Sequence, residues 1–174
     1  RAAAFSFYPG KNLGAMGDAG AIVTADAALA ERMAMFARHG GLRKGEHFIE
    51  GINSRMDGLQ AAILSVKLKH LANWTRARQA LAAEYDRRLA GIPGIRPPKV
   101  APGCEHVYHL YVIQVEQGRD ALRKHLADRG IQTNVNYPVI LPLVPAYARL
   151  GHRPADFPVA HRHQQPILSL PMYS

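Results

Sequence analysis

One cysteine, Cys104, is all the sequence offers for redox chemistry, so no disulfide can form within the chain and a reducing compartment fits it. Long apolar runs are absent: none approaches the roughly 20 residues that cross a bilayer. Acidic residues are scarce, 13 against 22 Lys and Arg, which leaves a formal charge of +9. A surplus of that size raises the question of nucleic acid. The basic residues, however, are scattered along apparent helices (Arg32, Lys67, Arg76, Arg87, Arg123), with no run interleaved with aromatics. Solvated helix faces are the expectation, with some of the charge available to an anionic substrate such as a nucleotide diphosphate; a basic binding module is set aside. Metal-ligand spacing is also missing. His106 and His109, like His161 and His163, have no acidic or cysteine partner at a ligand interval, so no metal is expected. Gly10-Lys-Asn lacks the spaced glycine and the following Ser or Thr of a phosphate-binding P-loop. No repeat is visible, and Arg1-Ala-Ala-Ala leads into an apolar strand rather than a cleavable leader. The expectation is a soluble, cytoplasmic protein with neither membrane nor nucleic-acid partner.

What is present is organised around Phe5 to Thr24. An apolar strand (Ala4 to Tyr8) breaks at Pro9-Gly10 and is followed by Lys11. A loop punctuated by Gly14, Gly17 and Gly20 leads to a second strand, Ala19 to Thr24. Strands on both sides fix the backbone, and glycines allow other groups to approach it closely. Such a setting suits a lysine amine that must stay partly neutral and form an imine with a carbonyl; the alternative is a solvated turn lysine.

Further along, Asp26 caps a helix expected to reach His39, ended by Gly40-Gly41. Residues 41–52 read as a loop. Ser54-Arg-Met-Asp57 resembles a capping box and opens a helix with Met56, Leu59, Ile63 and Val66 as its apolar stripe. Helical spacing continues to Leu89, with a bend expected near Lys69 to Asn73; Trp74 and Tyr85 are assigned to core packing. The tract 91–98 reads as a linker. Beyond it come a strand over Val107 to Val115, a helix over Arg119 to Arg129 stopped by Gly130, a strand over Ile131 to Val135, and an irregular, proline-rich tail with a helix near Pro158 to Gln164.

Ser6-Phe-Tyr-Pro-Gly-Lys-Asn-Leu-Gly-Ala-Met-Gly-Asp-Ala-Gly-Ala21 resembles the cofactor-lysine segment of the DegT/DnrJ/EryC1/StrS family, sugar aminotransferases that use pyridoxal 5'-phosphate (PLP). Similar matches follow in order at Gly51-Ile-Asn-Ser-Arg-Met-Asp-Gly-Leu-Gln-Ala-Ala62, His106 to Tyr111, Asn136-Tyr-Pro138 and Leu168 to Tyr173. The resemblance implies an α/β chain. Residues 1–90 would be part of the large domain of the aspartate aminotransferase-like, type I PLP fold, with a long connecting helix. Residues 91–174 would be the small α+β C-terminal domain. Both ends look cut by comparison with the family, whose members carry about as many residues again before this point.

Lys11 would then be the catalytic, Schiff-base lysine. Ser6 would bind the cofactor phosphate. Asn53 would reach the partner's cofactor across a homodimer, with Arg55, Asn136 and Tyr137 toward the nucleotide sugar. Asp18 is expected to be a turn residue, since the family's pyridine-nitrogen acid lies in the preceding half. Asn136 departs from the histidine common in relatives: it can hydrogen-bond but cannot titrate near neutrality. The implied reaction is amino transfer, usually from glutamate, to a keto group of a nucleotide-linked sugar. The Tyr-Pro-Gly-Lys-Asn form points to C3, and Lys11 argues against the dehydratase branch, in which histidine replaces it. The alternative is a non-catalytic or regulatory relative lacking half the site, and a chain of this extent alone is expected to be poorly soluble or inactive.

Overall fold

The computed structural model describes residues 1–173, which divide into two compact units, Arg1–Trp74 and Thr75–Ser174, the last residue of the second lying outside the described part. In the first unit, β1 (Ala2–Ser6) and β2 (Gly20–Thr24) pair antiparallel, with Ala2 opposite Thr24 and Ser6 opposite Gly20. The first strand begins and ends two residues earlier than its sequence pattern suggests. The chain leaves the ladder at Phe7 to build the loop that carries Lys11.

Helix α1 (Ala27–Phe36) starts where expected, with Asp26 Oδ1 accepting from Leu29 N–H at 3.0 Å. It stops three residues short of His39. Arg38 leaves the helix to form an antiparallel bridge with Asn53, His39 adopts φ 59°, and Gly40 N–H returns to Met35 O at 2.8 Å. Helix α2 (Gly58–Leu68) has Asp57, not Ser54, at its N-cap, without a side-chain cap bond. Its expected stripe is met only in part. Leu59 is 72% and Val66 59% exposed, whereas Leu64 is buried with half-buried Gln60 and Lys67 on either side. Met56 and Ile63 of that stripe are half-buried, so hydrophobicity found part of the inward face and missed the polar side chains that share it. The expected break falls at Lys69-His70, and α3 (Leu71–Leu89) follows, with the rings of His70 and Trp74 stacked 5.8 Å apart.

The later part of α3 belongs to the second unit, which begins at Thr75. Ala82 is fully buried in that unit's core, and Tyr85 and Leu89 pack against it. A sheet of order β3–β4–β5, antiparallel throughout, joins Ile95–Arg96, Tyr111–Val115 and Ile167–Leu170. The tract read as a linker therefore contains an edge strand, and the irregular tail contains a buried one. The strand expected from Val107 begins only at Tyr111, because Tyr108 takes φ 44° and Arg78 draws the carbonyls of Tyr108 and His109 inward at 3.1 and 3.3 Å. Residues 131–135 form a single bridge, Asn134 to Ser169, rather than a strand. Helix α4 (Arg119–Ala127) packs Leu122 and Leu126 on the core and gives way to Gly130 at φ 76°; α5 is Pro158–Gln164, as expected.

The core of this unit is aromatic. Tyr111 is fully buried, its ring 4.8 Å from that of Tyr85, and its hydroxyl donates to Asp86 Oδ1 at 2.5 Å. Burial, then the bond to Asp86, raise the Tyr111 pKa well above the ordinary tyrosine value. As pH rises past about 10 the unfolded chain gives up this proton first, so stability is full below that pH and falls above it. Tyr111→Phe is expected to cost about 1 kcal/mol near neutrality, since Asp86 is solvent-exposed and rehydrates. It should also flatten the alkaline loss. Urea midpoints measured from pH 8 to 12 check both effects.

Candidate active site

Lys11 lies in a loop closed by one residue used twice. Phe7 N–H donates to Ala19 O, and Phe7 O accepts from Ala15 N–H, each at 2.8 Å. Within that closure Lys11 N–H donates to Tyr8 O at 2.8 Å, completing a turn with Pro9 and Gly10 at its centre. The chain then folds back so tightly that a Cβ on Gly14 would lie 2.2 Å from Pro9 O. Lys11 is half-buried, followed by buried Gly14 and Ala15. Its amine has no hydrogen-bond or ion-pair partner among the described residues, so it is available for chemistry. Ser6, at the end of β1, is exposed, and its Oγ accepts from Tyr8 N–H at 3.3 Å.

The loop after α1 is equally constrained. Ile52 N–H donates to Phe36 O at 2.8 Å and Ser54 N–H to Ala37 O at 3.0 Å, which lays residues 52–54 against the end of α1. Gly51 permits this approach, since a Cβ there would sit 2.3 Å from Gly40 N. Asn53 is thus held by its backbone while its exposed side chain accepts from Arg55 Nε at 3.0 Å.

Ser6 and Arg55 line one open cleft of about 1430 Å³, walled by Phe5, Ile22, Met33, Phe36 and Ile52. Asn53 is tied to this cleft through Arg55. Lys11 and Asn53 are not among its lining residues. Its charged lining is balanced, Arg32 and Arg55 against Asp18 and Glu50. Asn136 and Tyr137 belong to the second unit. There Asn136 Oδ1 accepts from the buried Ser169 hydroxyl at 2.9 Å, and Tyr137 is 71% exposed. Asn136 is therefore engaged by its own unit, whereas Tyr137 presents its ring to solvent.

Two residues without a sequence-assigned role touch the lysine loop. Gln60 Oε1 accepts from Met16 N–H at 2.8 Å, and Lys67 Nζ donates to Gly14 O. Gln60 lies inside a quoted motif, which is a signal of sorts. Lys67 carried none, having been counted among the solvated helix faces.

The first unit thus presents an unengaged lysine in a tightly held glycine loop, and a separate cleft lined by Ser6 and Arg55. The chain belongs to the DegT/DnrJ/EryC1/StrS aminotransferase family, which matches residues 1–174. It is 50% identical over 171 residues to the erythromycin biosynthesis sensory transduction protein EryC1 of Saccharopolyspora erythraea, covering 98% of this chain and 46% of that one. It is 49% identical over 170 residues to a dTDP-3-amino-3,4,6-trideoxy-α-D-glucose transaminase of Streptomyces venezuelae, covering 98% and 45%. The crystal structure of S. venezuelae DesV in complex with a ketimine intermediate matches with a TM-score of 0.95 at 49% identity, covering 99% of this chain and 46% of that one. The chain spans about half the length of the curated relatives it matches.

The crowding at Gly14 yields a direct expectation. Gly14→Ala must displace backbone rather than a flexible side-chain end, so it should cost about 2 kcal/mol or more. Gly45→Ala serves as a comparison: nothing lies within 4 Å of its Cβ position, and only its φ of 87° opposes the change. Thermal or urea denaturation of the two variants should show the larger loss at Gly14.

Proposed function

We propose that this chain carries the cofactor lysine of a PLP-dependent aminotransferase acting on a nucleotide-linked sugar. Its first unit would then belong to the large domain of the type I PLP fold and its second to the small C-terminal domain. The observation that carries this reading is the amine of Lys11, half-buried, unengaged, and set in a loop that the backbone holds on both sides. Membership of an aminotransferase family supports it, as does the transaminase activity named for the S. venezuelae relative.

The donor set fits the cofactor. Lys11 supplies the one group that can bond covalently to an aldehyde, while the Ser6 hydroxyl and Asn53 carboxamide supply phosphate donors. When bound, PLP supplies an electron-accepting ring. The chain's own work is to place and to move protons. Lys11 Nζ would hold the cofactor, and as a free amine it would take a proton from the amino donor's α-carbon and deliver it to the cofactor's C4′ carbon. Arg55, fixed through Asn53, offers a guanidinium to the anionic end of the substrate. Tyr137 and Asn136 offer a ring and an amide to the sugar.

Amination at C3 is the proposed position, supported by the Tyr-Pro-Gly-Lys-Asn form and by the 3-amino sugar in that relative's name; glutamate is the proposed donor. A homodimer with Asn53 completing the partner's site, in the cytoplasm, completes the reading. No helix among the described residues is long and apolar enough to cross a membrane.

Borohydride reduction in the presence of PLP should fix the cofactor on the peptide that contains Lys11. A label on a different lysine would falsify the assignment. Lys11→Ala should abolish transamination yet shift stability by no more than about 0.5 kcal/mol, because the amine holds nothing in place.

Sharing of sites between subunits has its own test. Inactive Lys11→Ala and Asn53→Ala proteins, mixed under conditions that exchange subunits, should regain partial activity, since one site of each mixed dimer recovers both groups. Absence of recovery despite demonstrated exchange counts against a shared site.

A further inference from the structure

We propose that Gln60 and Lys67 are positioning residues for Lys11: from one face of α2 they clamp the backbone of the lysine's own loop and hold it in register with the Asn53–Arg55 segment that leads into the same helix. What Lys11 does rests on the function proposed above; the clamp itself does not.

The two side chains are seven residues apart, two helical turns or roughly 10 Å along the axis, and Leu64 between them is the buried residue of α2. A helix that only packed against the loop would present apolar side chains along this face. Instead two polar groups reach backbone that the β1–β2 ladder does not pair. Lys67 Nζ donates to Gly14 O, and Met16 N–H donates to Gln60 Oε1 at 2.8 Å. Gly14 is buried, so its carbonyl left without a partner would cost about 1–3 kcal/mol; Met16 is exposed, and Gln60 holds its N–H at the loop surface. No acidic residue forms an ion pair with Lys67 among the described residues, so the half-buried ammonium is committed to a carbonyl. Gly17 completes the fit, since a Cβ there would lie 3.0 Å from Gln60 Nε2.

The clamp matters because of where it falls. Lys11 N–H is tied to Tyr8 O and Ala15 N–H to Phe7 O, both within the hairpin. Gln60 and Lys67 add two ties from outside it. The helix that supplies them is entered by the segment bearing Asn53 and Arg55, itself bound to the end of α1. One rigid element therefore sets the position of the amine and of the polar groups that would share its ligand, and a misplacement of about 1 Å is enough to cost a site much of its rate.

The test uses the protein with Gln60→Met, Gln60→Glu, Lys67→Met and Lys67→Arg. Without cofactor, hydrogen exchange at Met16 should speed at least tenfold in Gln60→Met and stay within about threefold of the parent in Gln60→Glu, which keeps the acceptor. With PLP, both Met variants should bind about tenfold more weakly, with the pH midpoint of the bound cofactor's absorbance moved by about half a unit or more. Gln60→Glu and Lys67→Arg should restore both to within about threefold of the parent, which loss of packing alone would not do. Unchanged Met16 exchange in Gln60→Met, or faster exchange with PLP affinity and pH midpoint unmoved, overturns the proposal. Should Lys67→Met fail to fold, the Gln60 pair decides. Should borohydride leave Lys11 unlabelled in the parent, the functional reading falls. Positioning is then read from trace acetylation of Lys11 by acetic anhydride, whose rate should still change in Gln60→Met and not in Gln60→Glu; an unchanged rate again overturns it.

Discussion

The 2.2 Å that would separate a Gly14 Cβ from the Pro9 carbonyl is the constraint on which the first unit depends. Only a residue without a side chain lets the chain fold back there, and only that fold brings Ala15 N–H to Phe7 O and Gly14 O within reach of α2. Lys11 is placed by this crowding and by its backbone bond to Tyr8 O, not by any bond of its side chain. Its side chain is free because its backbone is not. The Gly51–Gly40 approach does the same for Asn53, so both candidate polar groups sit on segments fixed by backbone contacts, a design that leaves side chains to chemistry.

The second unit solves a similar problem with side chains. A single Arg78 Nη1 draws in the carbonyls of Tyr108, His109 and Met172 at 3.1–3.3 Å, and Tyr85 Oη donates to Pro171 O at 2.8 Å. Two irregular segments are thereby fastened to α3, over a core formed by Tyr111, Ile113 and Leu168. Burial lowers the guanidinium's pKa from its ordinary value, yet arginine stays charged at any physiological pH. The Arg78 anchor is therefore insensitive to acid and base, unlike the Tyr85 and Tyr111 hydroxyls.

Local signals were legible where one residue decides. Asp26 as a cap, Gly130 as a stop and the span of α5 were readable because they follow from capping, positive φ and a proline at the first helical turn respectively. Features that arise from distant partners were not. β5 hides in a proline-rich tail because its pairing is with β4, about 55 residues earlier, and the edge strand at Ile95-Arg96 is too short to show a period. The inward face of α2 was read only in part for the same reason: Gln60 and Lys67 are drawn inward by loop backbone, which leaves no hydrophobic trace. The lysine motif itself was legible at once, since glycines needed for close approach are spelled out in the sequence.

The charge of the chain finally bears on how a substrate would be recognised. A surplus of nine positive charges suggests a field that gathers anions, but the cleft beside β1 and β2 is lined by two cations and two anions. Much of the remaining surplus is on the helices, where Arg87 and Arg88 share Glu84 and Lys124 meets Asp128. Exposed pairs of that kind are screened by salt within about 10 Å. Recognition of an anionic ligand at this cleft must then come from individual donors placed at short range. The candidates are the Ser6 hydroxyl and the Arg55 guanidinium that line it, the latter held by Asn53, and their precision is only as good as the backbone beneath them. That returns the selectivity of the site to the same glycines that position Lys11.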